Sequence, residues 1–313
     1  MLLLLSGSVP LIISGFLQVF FDIHGPFNIF NGLIIWFQRE GEPGLTGLFN
    51  NRNYASLWFT ILWPICLAIL SQRKNGSNFL IYIFSISIIS SIYLTFSRVG
   101  LLNLFLTSLI FLKGSLSIWL FLFLILLITL LIAAVTNIFP LSFKEFAISI
   151  LPSEIIARFS ILENLEIFTS NARFSIWLSA LEFIKERPFL GWGSASFPIL
   201  FFQKIKIWYG HTHNIFIELA ISYGFISALL IITGIVIILL KSFREIYLKK
   251  NNKKENFSIN FLYFDKAWWT ASFVLLTSQL FDIQFLDFRI SIIFWIFLSG
   301  LSTIKLDTNK NGA

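Results

Sequence analysis

The sequence predicts an all-α membrane protein, a bundle of about eight transmembrane helices with one large extramembrane loop. Three observations predict it. Of the 313 residues, 57% are hydrophobic and only 12% are charged, about half the charged share of an ordinary soluble domain. Phenylalanine alone occurs 38 times, more apolar side chain than a water-soluble chain of this length can hide, so lipid must solvate part of it. The mean hydropathy is +0.83, and apolar runs recur along the whole chain.

Eight runs are read as spans, at roughly 2–21, 54–71, 78–96, 99–112, 116–138, 214–240, 263–281 and 289–304. A hydrocarbon core needs about 20 helical residues. The fourth and eighth are therefore short, and are expected to be tilted, broken or partly re-entrant. The first, MLLLLSGSVPLIISGFLQVFF, lacks the basic segment and small-residue cleavage site of a signal peptide and reads as a span. No cytoplasmic tail precedes it, so the chain is expected to start inside a longer membrane protein.

Hydrophilic stretches of unequal length separate the spans. Those at 22–53 and 139–213 are long, and those at 72–77, 113–115, 241–262 and 305–313 are short or basic. Placing the basic stretches in the cytoplasm gathers twelve basic and four acidic residues there, against eleven and twelve on the other side. Both termini are then cytoplasmic and both long loops face outward. Residues 1–313 form one membrane domain in this reading, with the 139–213 loop inserted between spans five and six. The net charge of +7 belongs to these loops, and no nucleic-acid partner is expected. The single Cys66 excludes a disulfide framework and a cysteine-based metal site.

The 139–213 loop holds most of the non-membrane chemistry. Its stretch 172–186, ARFSIWLSALEFIKE, spaces Ile176, Trp177, Ala180, Leu181 and Ile184 as an amphipathic helix lying near the membrane interface. Ser170 or Asn171 can cap its start, and Pro188 follows its end. GWGSASF (191–197) is a glycine-rich turn, and GHTHN (210–214) leads into the sixth span.

Several residues there and at the span ends can carry chemistry. Arg98, at the outer end of the third span, is either an interfacial anchor or a donor fork for a phosphate at the membrane surface. Arg173 opens the amphipathic helix, where a cation opposes the helix dipole unless an anion is held beside it; a solvated loop arginine is the plainer reading. His211 and His213 are two of only three histidines, and histidine is the side chain suited to proton transfer near neutral pH. Their alternate spacing can also suit a metal, but no third ligand is nearby in sequence and no Asp-x-Asp motif occurs, so no metal is expected. Glu218 lies one turn beyond Asn214 in an apolar run, placed either to orient a neighbouring group or to cap the helix. Asp282, Asp287 and Arg289 form a polar outer corner, read as a structural ion-pair cluster. No Walker A or GxGxxG motif appears, so no nucleotide is expected to enter directly.

Four stretches then look familiar together: GLTGLFNNRNYAS (44–56), TFSRVGLLNL (95–104), ARFSIWLSALEFIKERPFLGWGSASF (172–197) and HTHNIFIELAISYGF (211–225). From about residue 44 to its end the chain resembles the O-antigen ligase family, which includes O-antigen polymerase-like proteins. The spacing from His213 to Gly224, ten residues between them, is the most specific feature, and the order arginine, arginine, long loop, histidine also matches. The resemblance implies a GT-C-type helical fold in the bacterial plasma membrane, with the active face periplasmic. It implies a metal-independent, inverting glycosyltransferase that needs no cofactor. Such an enzyme takes a glycan from an undecaprenyl-diphosphate carrier and passes it to the lipid A core (ligases) or to another carrier-linked unit (polymerases). By position Arg98 and Arg173 correspond to the arginines that hold the donor diphosphate and His213 to the catalytic histidine, with His211, Asn214, Glu218 and Gly224 in support. Two features depart from the family: eight spans stand against about a dozen, and Ser227 stands where many ligases carry a second glycine.

Two other classes are open to the sequence. A small-solute transporter, of the bicarbonate type, would need polar groups along a path through the spans, whereas the charges here crowd the outer face. An inactive truncated relative or scaffold would fit the short N-terminus.

Overall fold

A computed structural model of the protein describes residues 1–25, 27–36, 44–49, 51–72, 79–111, 115–151, 153, 156, 172–248 and 256–304. Among the described residues the regular structure is helical apart from a short hairpin, in which β1 (Phe27–Ile29) pairs antiparallel with β2 (Ile34–Trp36). Four stretches among the described residues are long and apolar enough to cross a bilayer: Leu2–Phe21, Arg52–Gln72, Ile118–Val135 and Phe225–Leu248. Three shorter apolar helices, Phe79–Leu94, Arg98–Phe111 and Phe288–Ser302, accompany them. Contacts divide the chain into two compact units, residues 1–111 with 230–313, and residues 112–229.

The first unit is built around α3 (Arg52–Gln72), an apolar helix buried along most of its length. Against it or its neighbours lie α1 (Leu2–Gly7), α2 (Val9–Phe21), α4 (Phe79–Leu94), α5 (Arg98–Phe111), α12 (Asn256–Ser278) and α13 (Phe288–Ser302). Lipid tails are as apolar as leucine, so close packing and hydrogen bonds between helices hold such a unit together. At Gly100 of α5, an added Cβ would fall 1.7 Å from the Ser56 hydroxyl of α3, so α5 needs glycine there to approach. Polar side chains tie the helices: the Trp58 indole donates to Ser8 (2.9 Å), Trp63 to Ser108 (2.8 Å) and the Asn103 amide to Ser278 (2.7 Å). The Gln18 side-chain carbonyl accepts the backbone N–H groups of Thr46 and Gly47, each at 3.0 Å.

The second unit has two apolar clusters. In one, α6 (Ser115–Val135) packs on α7 (Leu141–Ile150) through Leu130, Ala133, Ala134, Ala147 and Leu151. The other joins α8 (Ala172–Glu186), α9 (Phe197–Ile205) and α10 (Ile215–Tyr223) through Ile176, Ala180, Phe183, Phe197, Phe201 and Ile221. Helix α8 has the bounds its apolar spacing predicts, but Leu181 is 47% exposed and Phe183 takes the buried place. The 3.6-residue period explains this: 176, 180 and 183 lie on one face and 181 turns away. The residues expected to cap α8, Ser170 and Asn171, lie outside the described residues, as does most of the basic patch 249–256.

The sixth expected span, 214–240, is two helices. Helix α10 ends at Tyr223, Gly224 adopts φ +87° and ψ 158°, and α11 (Phe225–Phe243) restarts, followed by a π turn at Arg244–Leu248. Only glycine enters that backbone region readily, so the helix must break there although the apolar run continues. The stretch long and apolar enough to cross is Phe225–Leu248, and the nine residues of α10, about 14 Å long, are too short to cross.

Candidate functional site

His211, Thr212 and His213 form the turn before α10, within the second unit. Asn214 caps that helix: its Oδ1 accepts the N–H groups of Phe216 (3.0 Å) and Ile217 (3.2 Å), two of the donors a helix start leaves without partners. The Thr212 hydroxyl donates to the Asn214 carbonyl at 2.9 Å, drawing the turn back on itself. His213 takes the left-handed φ of 58°, uncommon for a non-glycine residue. Its N–H donates to Nδ1 of His211 at 3.2 Å, and the two imidazoles stand 4.3 Å apart, edge to face.

Glu218 reaches back from α10 and accepts the Thr212 N–H at 2.9 Å. Burial pushes its carboxyl above the ordinary glutamate value, while the hydrogen bonds from Thr212 and the neighbouring His213 pull the other way. From α8, the Trp177 indole donates to the Thr212 carbonyl at 2.8 Å. Arg173 lies one turn earlier on that helix, partly exposed in its first turn.

The glycine-rich turn is zipped to the far end of α10. Trp192 and Gly193 donate their N–H groups to the carbonyls of Ile221 (2.7 Å) and Ser222 (3.0 Å), and Phe225 N–H donates to Pro188 (2.7 Å). The Trp192 indole donates to the Phe183 carbonyl at 2.8 Å, with the Arg187 guanidinium 4.1 Å above its ring. The histidine turn and the Arg173 helix thus sit on one packed scaffold.

Arg98 belongs to the first unit, exposed at the start of α5. Beside it the buried Ser97 hydroxyl donates to Asn53 Oδ1 (3.0 Å), and the Asn53 amide donates to Asp282 Oδ2 (2.8 Å). Tyr54 donates to the Ile283 carbonyl at 3.1 Å. The starts of α3, α5 and α13 and the end of α12 therefore share one polar rim. Arg289 closes that rim with a two-pronged pair to Asp287 (2.9 and 2.5 Å), a bond to the Leu48 carbonyl (2.9 Å) and a stack 4.0 Å from the Phe49 ring. Asp287 also caps α13 through Arg289 N–H. The structural reading of this corner agrees with these contacts.

Residues 82–232 match the family model described as O-antigen ligase. That stretch is O-antigen ligase-like. It covers just under half of the chain and runs from α4 through the whole histidine scaffold into α11. The comparison with curated proteins found no match. With its apolar helices the chain is a multi-pass membrane protein, and the likeness to the O-antigen ligase family is that of residues 82–232. Two polar groups of the scaffold escaped the sequence reading. Thr212 looked like a spacer between histidines, and Trp177 like one more apolar residue. The signal was available for Trp177, because an indole N–H on the packed side of an amphipathic helix needs an acceptor.

Proposed function

We propose that this protein is an inverting membrane glycosyltransferase that moves a glycan from an undecaprenyl-diphosphate carrier to an acceptor hydroxyl, with the lipid A core as the acceptor. The observation that carries the reading is the clamped histidine turn: two imidazoles at the start of a capped helix, inside the ligase-like stretch. In this reading the acceptor oxygen attacks the anomeric carbon as the bond to the carrier diphosphate breaks. His213 takes the hydroxyl proton. Arg98 and Arg173 act on the donor diphosphate, where charge builds as the carrier leaves. His211, Asn214, Glu218 and Gly224 support the turn. The chemistry needs no metal. The active face is periplasmic, both termini are cytoplasmic, and residues 139–213 form the outer loop of a single membrane domain with eight spans.

The test is incubation of the purified protein with an undecaprenyl-diphosphate-linked oligosaccharide and a lipid A-core acceptor. Joined product from the wild type, and none from Arg98→Ala, Arg173→Ala or His213→Ala, supports the reading. Joining of carrier-linked units to each other makes the enzyme a polymerase of the same chemistry. A variant that keeps full transfer removes its residue from the mechanism.

A further inference from the structure

The reaction just proposed gives Trp177 no part, yet the geometry does. We infer that Trp177 is a positioning residue for transfer: its indole N–H, bonded to the Thr212 carbonyl at 2.8 Å, holds the backbone that presents His213. The inference rests on the reading of His213 as proton acceptor.

Thr212 is fully buried, and the two peptide planes that flank it are each tied by a distant side chain. The plane between His211 and Thr212 carries the Thr212 N–H, which Glu218 accepts. The plane between Thr212 and His213 carries the Thr212 carbonyl, which Trp177 binds. That second plane also carries the His213 N–H and so sets the rotation that leads into His213. A non-glycine residue at φ 58° stays there only while its surroundings hold it. Glu218 is on α10, the helix the turn leads into, so its bond ties the turn only to that helix. Trp177 is on α8, and it alone of these two ties the turn to another element. It stands four residues after Arg173, on the same helix face. One hydrogen bond therefore joins the helix of the diphosphate arginine to the turn of the base. A phenylalanine keeps an aromatic ring against the α8 cluster but lacks the indole N–H.

Trp177→Phe in the full chain, reconstituted in lipid, tests this. Hydrogen exchange across residues 208–214 should quicken about fivefold, the population shift that one net hydrogen bond carries, while 197–205 stays at the wild-type rate. With the carrier-linked donor, kcat per folded molecule should fall about tenfold, as misplaced catalytic groups do, and KM should stay within about twofold. Unchanged exchange at 208–214 would overturn the inference. So would a rise in donor KM with kcat intact, which would put Trp177 in donor binding through α8. If Trp177→Phe folds poorly, Trp177→Met serves with the same readouts. The exchange measurement needs no substrate. Absence of transfer by the wild type would therefore sink the proposed function, while exchange still decides whether Trp177 holds the turn.

Discussion

Gly224→Ala and Gly234→Ala put the same methyl group into one stretch of chain with opposite expected signs. At Gly224 the backbone sits at φ +87° and ψ 158°, and holding an alanine in such a region costs about 1–3 kcal/mol. The new Cβ would lie 2.0 Å from the Phe189 carbonyl oxygen and 2.4 Å from its carbon. Both are backbone atoms that no rotamer change can move. Relief means pulling apart the 188–193 turn and α10, at the expense of the Phe225–Pro188 hydrogen bond, worth about 1 kcal/mol. The sum is about 3 kcal/mol of destabilisation. Gly234 lies inside α11 with nothing within 4 Å of an added Cβ. Alanine there should stabilise by up to about 1 kcal/mol through helix propensity. Thermal unfolding in detergent, followed by circular dichroism, should lower the midpoint by several degrees for Gly224→Ala and leave it unchanged or raised for Gly234→Ala. A Gly224→Ala protein that melts with the wild type would refute the argument that this break is a steric necessity.

Three further outcomes are expected. Asn214→Ala removes the cap on Phe216 and Ile217 and should cost about 1 kcal/mol in the same melt, with Asn214→Ser recovering most of it. Arg289→Ala leaves Asp287 and the Leu48 carbonyl without their guanidinium and should cost about 2 kcal/mol; Arg289→Lys should recover little, because an ammonium cannot make the fork. Burial raises the Glu218 carboxyl above its ordinary value, so the folded state holds that proton more tightly than the unfolded state. Its contribution to stability is greatest below the ordinary glutamate value of about 4.3 and is lost as pH rises through the raised one. Glu218→Gln should flatten the fall in melting temperature across that window, and a slope identical to wild type would dismiss Glu218 as its source.

Periodicity is a property of side chains, and wherever side chains decide the structure the sequence was readable. Helix α8 kept its bounds because its apolar spacing and Pro188 both mark them. The exposed Leu181 shows the limit, since a list of apolar residues does not assign a face. The split of the sixth expected span was invisible because the apolar run continues from Ile215 through Phe225 with Glu218 as its one charge. What breaks the helix is a backbone conformation and a carbonyl from Phe189, remote from the run itself. The His213-to-Gly224 spacing was visible, and the structure supplies its physical content: the histidine turn and the glycine are the two ends of α10. The hold on Thr212 was half legible: an indole and a carboxylate in apolar surroundings each call for a partner, but both bonds end on backbone atoms that every residue possesses.

The join at Gly224 also governs how the protein meets membranes of different thickness. Helix α11 has 19 residues, about 28 Å of rise, close to the roughly 30 Å of a hydrocarbon core. At the end nearest His213 it is bolted: Phe225 is bonded to Pro188 and Gly224 lies against Phe189. A thicker or thinner bilayer would ordinarily be met by tilting or sliding such a helix, but sliding at this end would drag the histidine turn with it. The opposite end is tied as well, by the Trp269 indole on the Leu239 carbonyl (2.9 Å) and Tyr247 beside Thr270 (3.1 Å), so the lipid around the helix must thin or thicken instead. Hydrophobic mismatch then falls on the bilayer rather than on the histidine turn.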